Sequence, residues 1–104
     1  MAAPEVAPPK VETEEQVRET LAPLYRVICH DDPVTTMDFV VEVLTAIFRL
    51  SQPRAIEVML DVHNKGAALV GCYPRSLAER RVNRAKSKAR AQGFPLTFSV
   101  EPDD

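Results

Sequence analysis

The sequence predicts an α+β domain in which a β-α-α-β-α-β order folds into a three-stranded, mostly antiparallel sheet covered by three helices. Short stretches rich in Tyr, Val and Ile alternate with a period of two, whereas longer ones repeat apolar residues every three or four positions. Thr, Ser, Pro and Gly stand where such helices begin and end. At 104 residues, the chain suits one domain that must be mostly core, with little room for a large catalytic cleft.

Residues 1–22 hold three prolines in the first nine positions and then a Glu-rich stretch with few large apolar side chains. Burial there cannot offset the ordering entropy, so they are expected to form a flexible N-terminal arm, with a possible helical turn at Thr13 to Leu21. The folded domain is then 23–104. "LYRVICH" (Leu24 to His30) reads as a strand. After Thr36, a good N-cap, "MDFVVEVLTAIFRL" places Val40, Val43, Leu44 and Ile47 on one helical face. Ser51 caps a second helix, "QPRAIEVMLDVHNK", with Pro53 near its start and Gly66 just past its end. Here Ile56, Met59, Leu60 and His63 share a face. "AALVGCY" reads as the second strand, and Arg75 to Gln92 as a third helix with a narrow stripe of Ala78, Val82, Ala85 and Ala89. Gly93 and Pro95 stop that helix, and "LTFSVE" (Leu96 to Glu101) alternates as the last strand.

Thirteen Lys and Arg against fifteen Asp and Glu give a formal charge of −2, which does not favour nucleic acid or an anionic membrane. No apolar run has the length of about 18 residues needed to span a bilayer, and the start lacks the features of a signal peptide, so a cytoplasmic location is expected. Cys29 and Cys72 stand singly in apolar segments, as buried thiols do.

"CHDDPVTTMDF" concentrates His30, Asp31 and Asp32 between two apolar runs. The residues support two accounts. Asp beside Pro after a strand serves well in an Asx-turn or a helix cap. Two carboxylates with an imidazole also suit a cation, an ammonium group better than zinc, because no third nitrogen or sulfur ligand has diagnostic spacing. His63 is read either as a core histidine or as the polar rim of a recess lined by Met37 and Met59. The third helix carries Arg75, Arg80, Arg81, Arg84, Lys86, Lys88 and Arg90, so a small basic-helix nucleic-acid-binding protein is the alternative function; no aromatic residue is interleaved for base stacking. Nucleophile and positioned base are both missing for covalent catalysis, so an enzyme is not expected. A zinc hydrolase built on His30, Asp31 and His63 is a third reading.

"YRVICHDDPVTTMDFVVEVLTAIF", "RAIEVMLDVHNKGAALVG" and the closing "PLTFSVE" together resemble the ClpS family of adaptors for the ATP-dependent Clp protease, over roughly residues 24 to 101. The resemblance implies a non-catalytic adaptor without cofactor or metal. It would bind substrates that begin with Leu, Phe, Tyr or Trp (an N-degron) and deliver them to a ClpA- or ClpC-type unfoldase, as a monomer with no nucleic-acid or membrane partner. Carried over by position, His30, Asp31, Asp32 and His63 would surround the substrate's α-amino group. Thr35, Met37, Val40, Met59, Val62 and Leu96 would wall the pocket, with Met37 as its gate. Glu79 and Arg81 would dock the unfoldase, and residues 1–22 would engage its channel. The chain departs from the family's pattern at His30, where Asn is usual, at "PVTT", where a shorter "YTP" is typical, and at Ser76, where an acid is common.

Overall fold

A computed structural model describes residues 23–103; the proposed arm and its helical turn lie outside the described residues. The order is β1 (Leu24–His30), α1 (Met37–Ala46), α2 (Gln52–Lys65), β2 (Ala67–Pro74), α3 (Arg75–Ala91) and β3 (Thr97–Pro102). This is the expected succession, with ends displaced by a residue or so except at the close of α1. Strand β1 is central, in the order β2-β1-β3, and both pairings are antiparallel. Leu24 faces Pro74 and His30 faces Ala67 across one edge, with an irregularity between Val27 and Ile28. Across the other edge Tyr25 faces Pro102 and His30 faces Thr97.

Alternation along β1 separates two environments. Val27 and Cys29 are fully buried under the helices, whereas Arg26, Ile28 and His30, between and beyond them, are only half-buried. Helix α3 packs on all three strands through the predicted stripe of Ala78, Val82, Ala85 and Ala89, every one buried. Small side chains let its axis approach the sheet closely. Helices α1 and α2 pack on each other, and α2 also on β2. The expected face of α1, Val40, Val43, Leu44 and Ile47, is buried.

Three expectations need correction. Helix α1 ends at Ala46 rather than running on to Leu50. The amides of Ile47 and Phe48 both donate to the Val43 carbonyl, and Arg49 takes a left-handed φ of 63°, which turns the chain toward α2. On α2 the buried residues are Ala55, Val58 and Val62, not the Ile56, Met59, Leu60 and His63 face. Of that face, Ile56, Leu60 and His63 are exposed and Met59 is half-buried. Both cysteines are free, but only Cys29 is buried and Cys72 is half-buried. Burial, reinforced by Asp32 and then Asp31, pushes the Cys29 thiol up to about 12, which makes it a small apolar filler.

Candidate functional site

The chain leaves β1 at Asp31 and enters α1 at Met37, and the intervening turn is built by Asp32. Its Oδ1 accepts from the amides of Val34 (2.9 Å) and Thr35 (2.7 Å), and its Oδ2 accepts from the Thr35 hydroxyl (2.7 Å). Partial burial would raise this carboxyl. The Thr35 hydroxyl, the two amides and the more distant Arg90 outweigh it, and the group titrates below the ordinary carboxylate range. Thr36 then caps α1 by accepting from the Phe39 amide at 3.2 Å.

Asp31 differs from its neighbour in every respect. Its amide donates to the Gly66 carbonyl at 2.9 Å, which fastens the turn to the C-terminus of α2. Gly66 is suited to that junction because its φ of 90° closes the helix in the left-handed region. The Asp31 side chain is exposed, and no hydrogen bond or ion pair to a described residue occupies its carboxylate. His63, in the last turn of α2, is likewise exposed with both ring nitrogens uncommitted among the described residues.

Between these two groups lies a hollow of about 380 Å³, near the low end of the range of about 300–1,000 Å³ usual for ligand pockets. Buried Val40 and Val62 and half-buried Met59 supply its apolar wall, and Thr35 and the exposed Met37 another side. Asp31, Asp32 and His63 supply its polar margin. Pro33, Val34 and Thr36, which also line it, are not among the site residues expected from the sequence. Val34, 55% exposed in a turn, offers the only sequence signal among them, an apolar branched residue where turns prefer polar ones.

Two residues assigned to the site by resemblance are not among those that line the hollow. Leu96 is 1% exposed and belongs to the core; Arg90 fixes its segment by donating to the carbonyls of Phe94 (2.8 Å) and Leu96 (2.9 Å). His30 points away because residues on β1 alternate, and its Nε2 lies 2.8 Å from the Ser99 hydroxyl on β3. The zinc reading loses its geometry with it. Among the described residues no three His, Cys, Asp or Glu side chains gather closely enough to hold a metal ion.

The basic helix is largely occupied by its own protein. Arg75 pairs with Glu79 at 3.0 Å and Lys88 with Glu42 at 3.2 Å, while Arg90 caps carbonyls. Arg81 lies over the Tyr73 ring at 5.0 Å and reaches the Phe48 carbonyl at 3.4 Å. Glu79 and Arg81, expected at a docking surface, thus sit on α3 with internal partners. Among the described residues no helix is long and apolar enough to cross a membrane.

Comparison with known proteins joins this geometry to a family. Residues 20–99 match the family described as ATP-dependent Clp protease adaptor protein ClpS. The chain belongs to the ClpS family. It is 46% identical over 88 residues to the ClpS adapter of Oleidesulfovibrio alaskensis, covering 85% of this chain and 83% of the relative. Identity to the ClpS adapter of Lawsonia intracellularis is 41% over 96 residues, 92% of this chain and 86% of the relative. Among solved structures, Agrobacterium tumefaciens ClpS2 bound to L-phenylalaninamide superimposes with a TM-score of 0.74 at 37% identity, covering 78% of this chain and 98% of that one. An adaptor of the Clp protease is therefore what the family assigns, and the fold expected from the sequence is the fold observed.

Proposed function

We propose that the chain captures proteins by their first residue, a Leu, Phe, Tyr or Trp, and delivers them to a ClpA- or ClpC-type unfoldase. One observation carries this reading: a carboxylate, Asp31, and an imidazole, His63, both uncommitted among the described residues, share the margin of a hollow with an apolar wall. A free α-amino group has a pKa of about 7.7–8.0, so at neutral pH it is largely a cation with three hydrogens to donate. Asp31 accepts one with opposite charge, and His63 accepts another through a neutral ring nitrogen. Asp32 contributes its negative field from the turn, with Oδ1 fully engaged and one acceptor site left on Oδ2. Phenylalaninamide, which the Agrobacterium relative binds, combines a free amine with one large apolar side chain.

Charge-assisted bonds contribute roughly 1.5–3 kcal/mol each, and seating a large side chain adds about the same. Neither half overcomes the association cost of several kcal/mol alone. The requirement for both produces specificity: an internal Leu lacks the amine, and an initial Lys would carry its charge into the hollow. Family membership supports delivery to an unfoldase, whose channel residues 1–22 would engage.

Fluorescence anisotropy with short peptides differing only in the first residue tests the reading. Leu-, Phe-, Tyr- and Trp-initiated peptides are expected to bind, and acetylating the amine to remove most of the affinity; equal binding of acetylated and free peptides would overturn it. Deleting residues 1–20 should leave peptide binding intact and abolish degradation of a Leu-initiated reporter by the Clp machinery.

A further inference from the structure

Arg84, unlike most cations of α3, has no hydrogen bond, ion pair or ring contact among the described residues. It borders a cleft of about 480 Å³ between the end of α1 and α3, which Ala46, Ile47, Ser87 and Lys88 also line. None of these residues lines the hollow. Arg84, Ser87 and Lys88 stand at positions i, i+3 and i+4, so they share one face of α3 within a rise of about 6 Å. The exposed Ser87 hydroxyl is likewise without a partner among the described residues. Lys88 reaches Glu42 on α1 at 3.2 Å, with side chains 38% and 56% exposed, so that pair is open to competition. A helix C-terminus attracts cations, but Arg81 is the side chain that reaches a carbonyl there, that of Phe48 at 3.4 Å. Arg84 makes no such bond, so capping α1 does not account for it.

We infer that this cleft is a second binding site, for a small organic phosphate whose apolar body lies on Ala46 and Ile47. Three kinds of donor converge there: the planar guanidinium fork of Arg84, the hydroxyl of Ser87 and the ammonium of Lys88. A phosphate monoester carries a charge of about −1.5 to −2 at neutral pH and three terminal acceptor oxygens, so it can take one donor of each kind. A carboxylate has two oxygens and a single charge and leaves one donor unused. Exposed Ala46 and buried Ile47 add an apolar floor, and a cleft of this size has room for more than a bare ion. Glu42 is the carboxylate that opposes the ligand, because binding draws Lys88 away from it.

The test titrates the full chain with phenyl phosphate, benzoate and inorganic phosphate, following backbone amides by NMR at low salt. Phenyl phosphate is expected to saturate and to shift the amides of Ala46, Ile47, Arg84, Ser87 and Lys88 while sparing those of Met37, Val40 and Val62. It should bind about fivefold more tightly than benzoate, and severalfold more tightly than inorganic phosphate, which lacks the ring. Arg84→Gln should weaken it about tenfold, and Glu42→Gln should tighten it about threefold by releasing Lys88. Lys86→Gln removes the same charge from α3 outside the cleft and should change affinity by less than about twofold. No saturable binding, shifts confined to the hollow, parity with benzoate, or a loss in Lys86→Gln equal to that in Arg84→Gln would each overturn the site. Capture of a first residue by the hollow stands or falls separately.

Discussion

The two apolar faces of α2 are similar in composition and opposite in fate. Ala55, Val58 and Val62 are covered by the core, while Ile56 and Leu60, one position along from Ala55 and two from Val58, face outward. An inward face is explained by burial at about 25 cal/mol per Å². An outward face gains little from folding. The same contrast recurs in the two adjacent aspartates, where Asp32 is spent on its own turn and Asp31 is left to the outside.

Breaking the contrast on α2 has the largest effect. Val58→Asp places an unpaired carboxylate at a site 1% exposed and should cost more than about 4 kcal/mol, enough to unfold a domain of this size. Ile56→Asp should change stability by no more than about 0.5 kcal/mol. Urea unfolding followed by circular dichroism checks both, and equal losses would erase the distinction between the faces.

The aspartates sharpen it next. Asp31→Ala should weaken binding of a Phe-initiated peptide at least about tenfold, the effect of losing a charge-assisted bond, with a stability change inside about 0.5 kcal/mol. Asp32→Ala should instead lower stability by about 1–2 kcal/mol, because two amides and a hydroxyl lose their acceptor. Since the folded-state carboxyl of Asp32 titrates below its ordinary value of about 3.9, the stability it contributes is present above about pH 4. It is lost as the pH falls through the folded pKa, so stability rises with pH across that window. The acid limb of a stability profile should therefore be shallower in Asp32→Ala than in the parent. An unchanged limb would mean that the turn is held by other contacts.

The smallest effect belongs to His30. With its ring bonded to Ser99, His30→Ala should cost about 0.5–1.5 kcal/mol of stability and leave peptide affinity within about twofold. A tenfold loss of affinity would return His30 to the amino-group site, where family resemblance had put it.

Much of this was legible in the chain. Helix boundaries were marked by Thr36, Ser51, Pro53, Gly66 and Gly93, because caps and left-handed terminators act through a few neighbouring residues. The stripe on α3 was legible for a related reason: only one row of its helix is apolar, so its inward side admits no alternative. The opposite held for α2, whose apolar residues occupy more than half its circumference. Periodicity then names an amphipathic helix without saying which arc is covered. The position of His30 escaped for a further reason. Strand alternation assigns it to one side of the sheet or the other only after the location of the helices is known.

By itself the sequence determined the order of elements, most of their ends, the cap at Thr36 and the two carboxylates after β1, all of which depend on interactions within a few residues. Tertiary structure alone decided that Asp31 and His63 meet. That meeting depends on the Asp31 amide bonding to the Gly66 carbonyl, a contact between segments more than thirty residues apart, which no local preference encodes. Tertiary structure likewise sent Leu96 into the core, His30 to Ser99 and Ile56 to solvent, because which side of an element is covered is set by what packs against it.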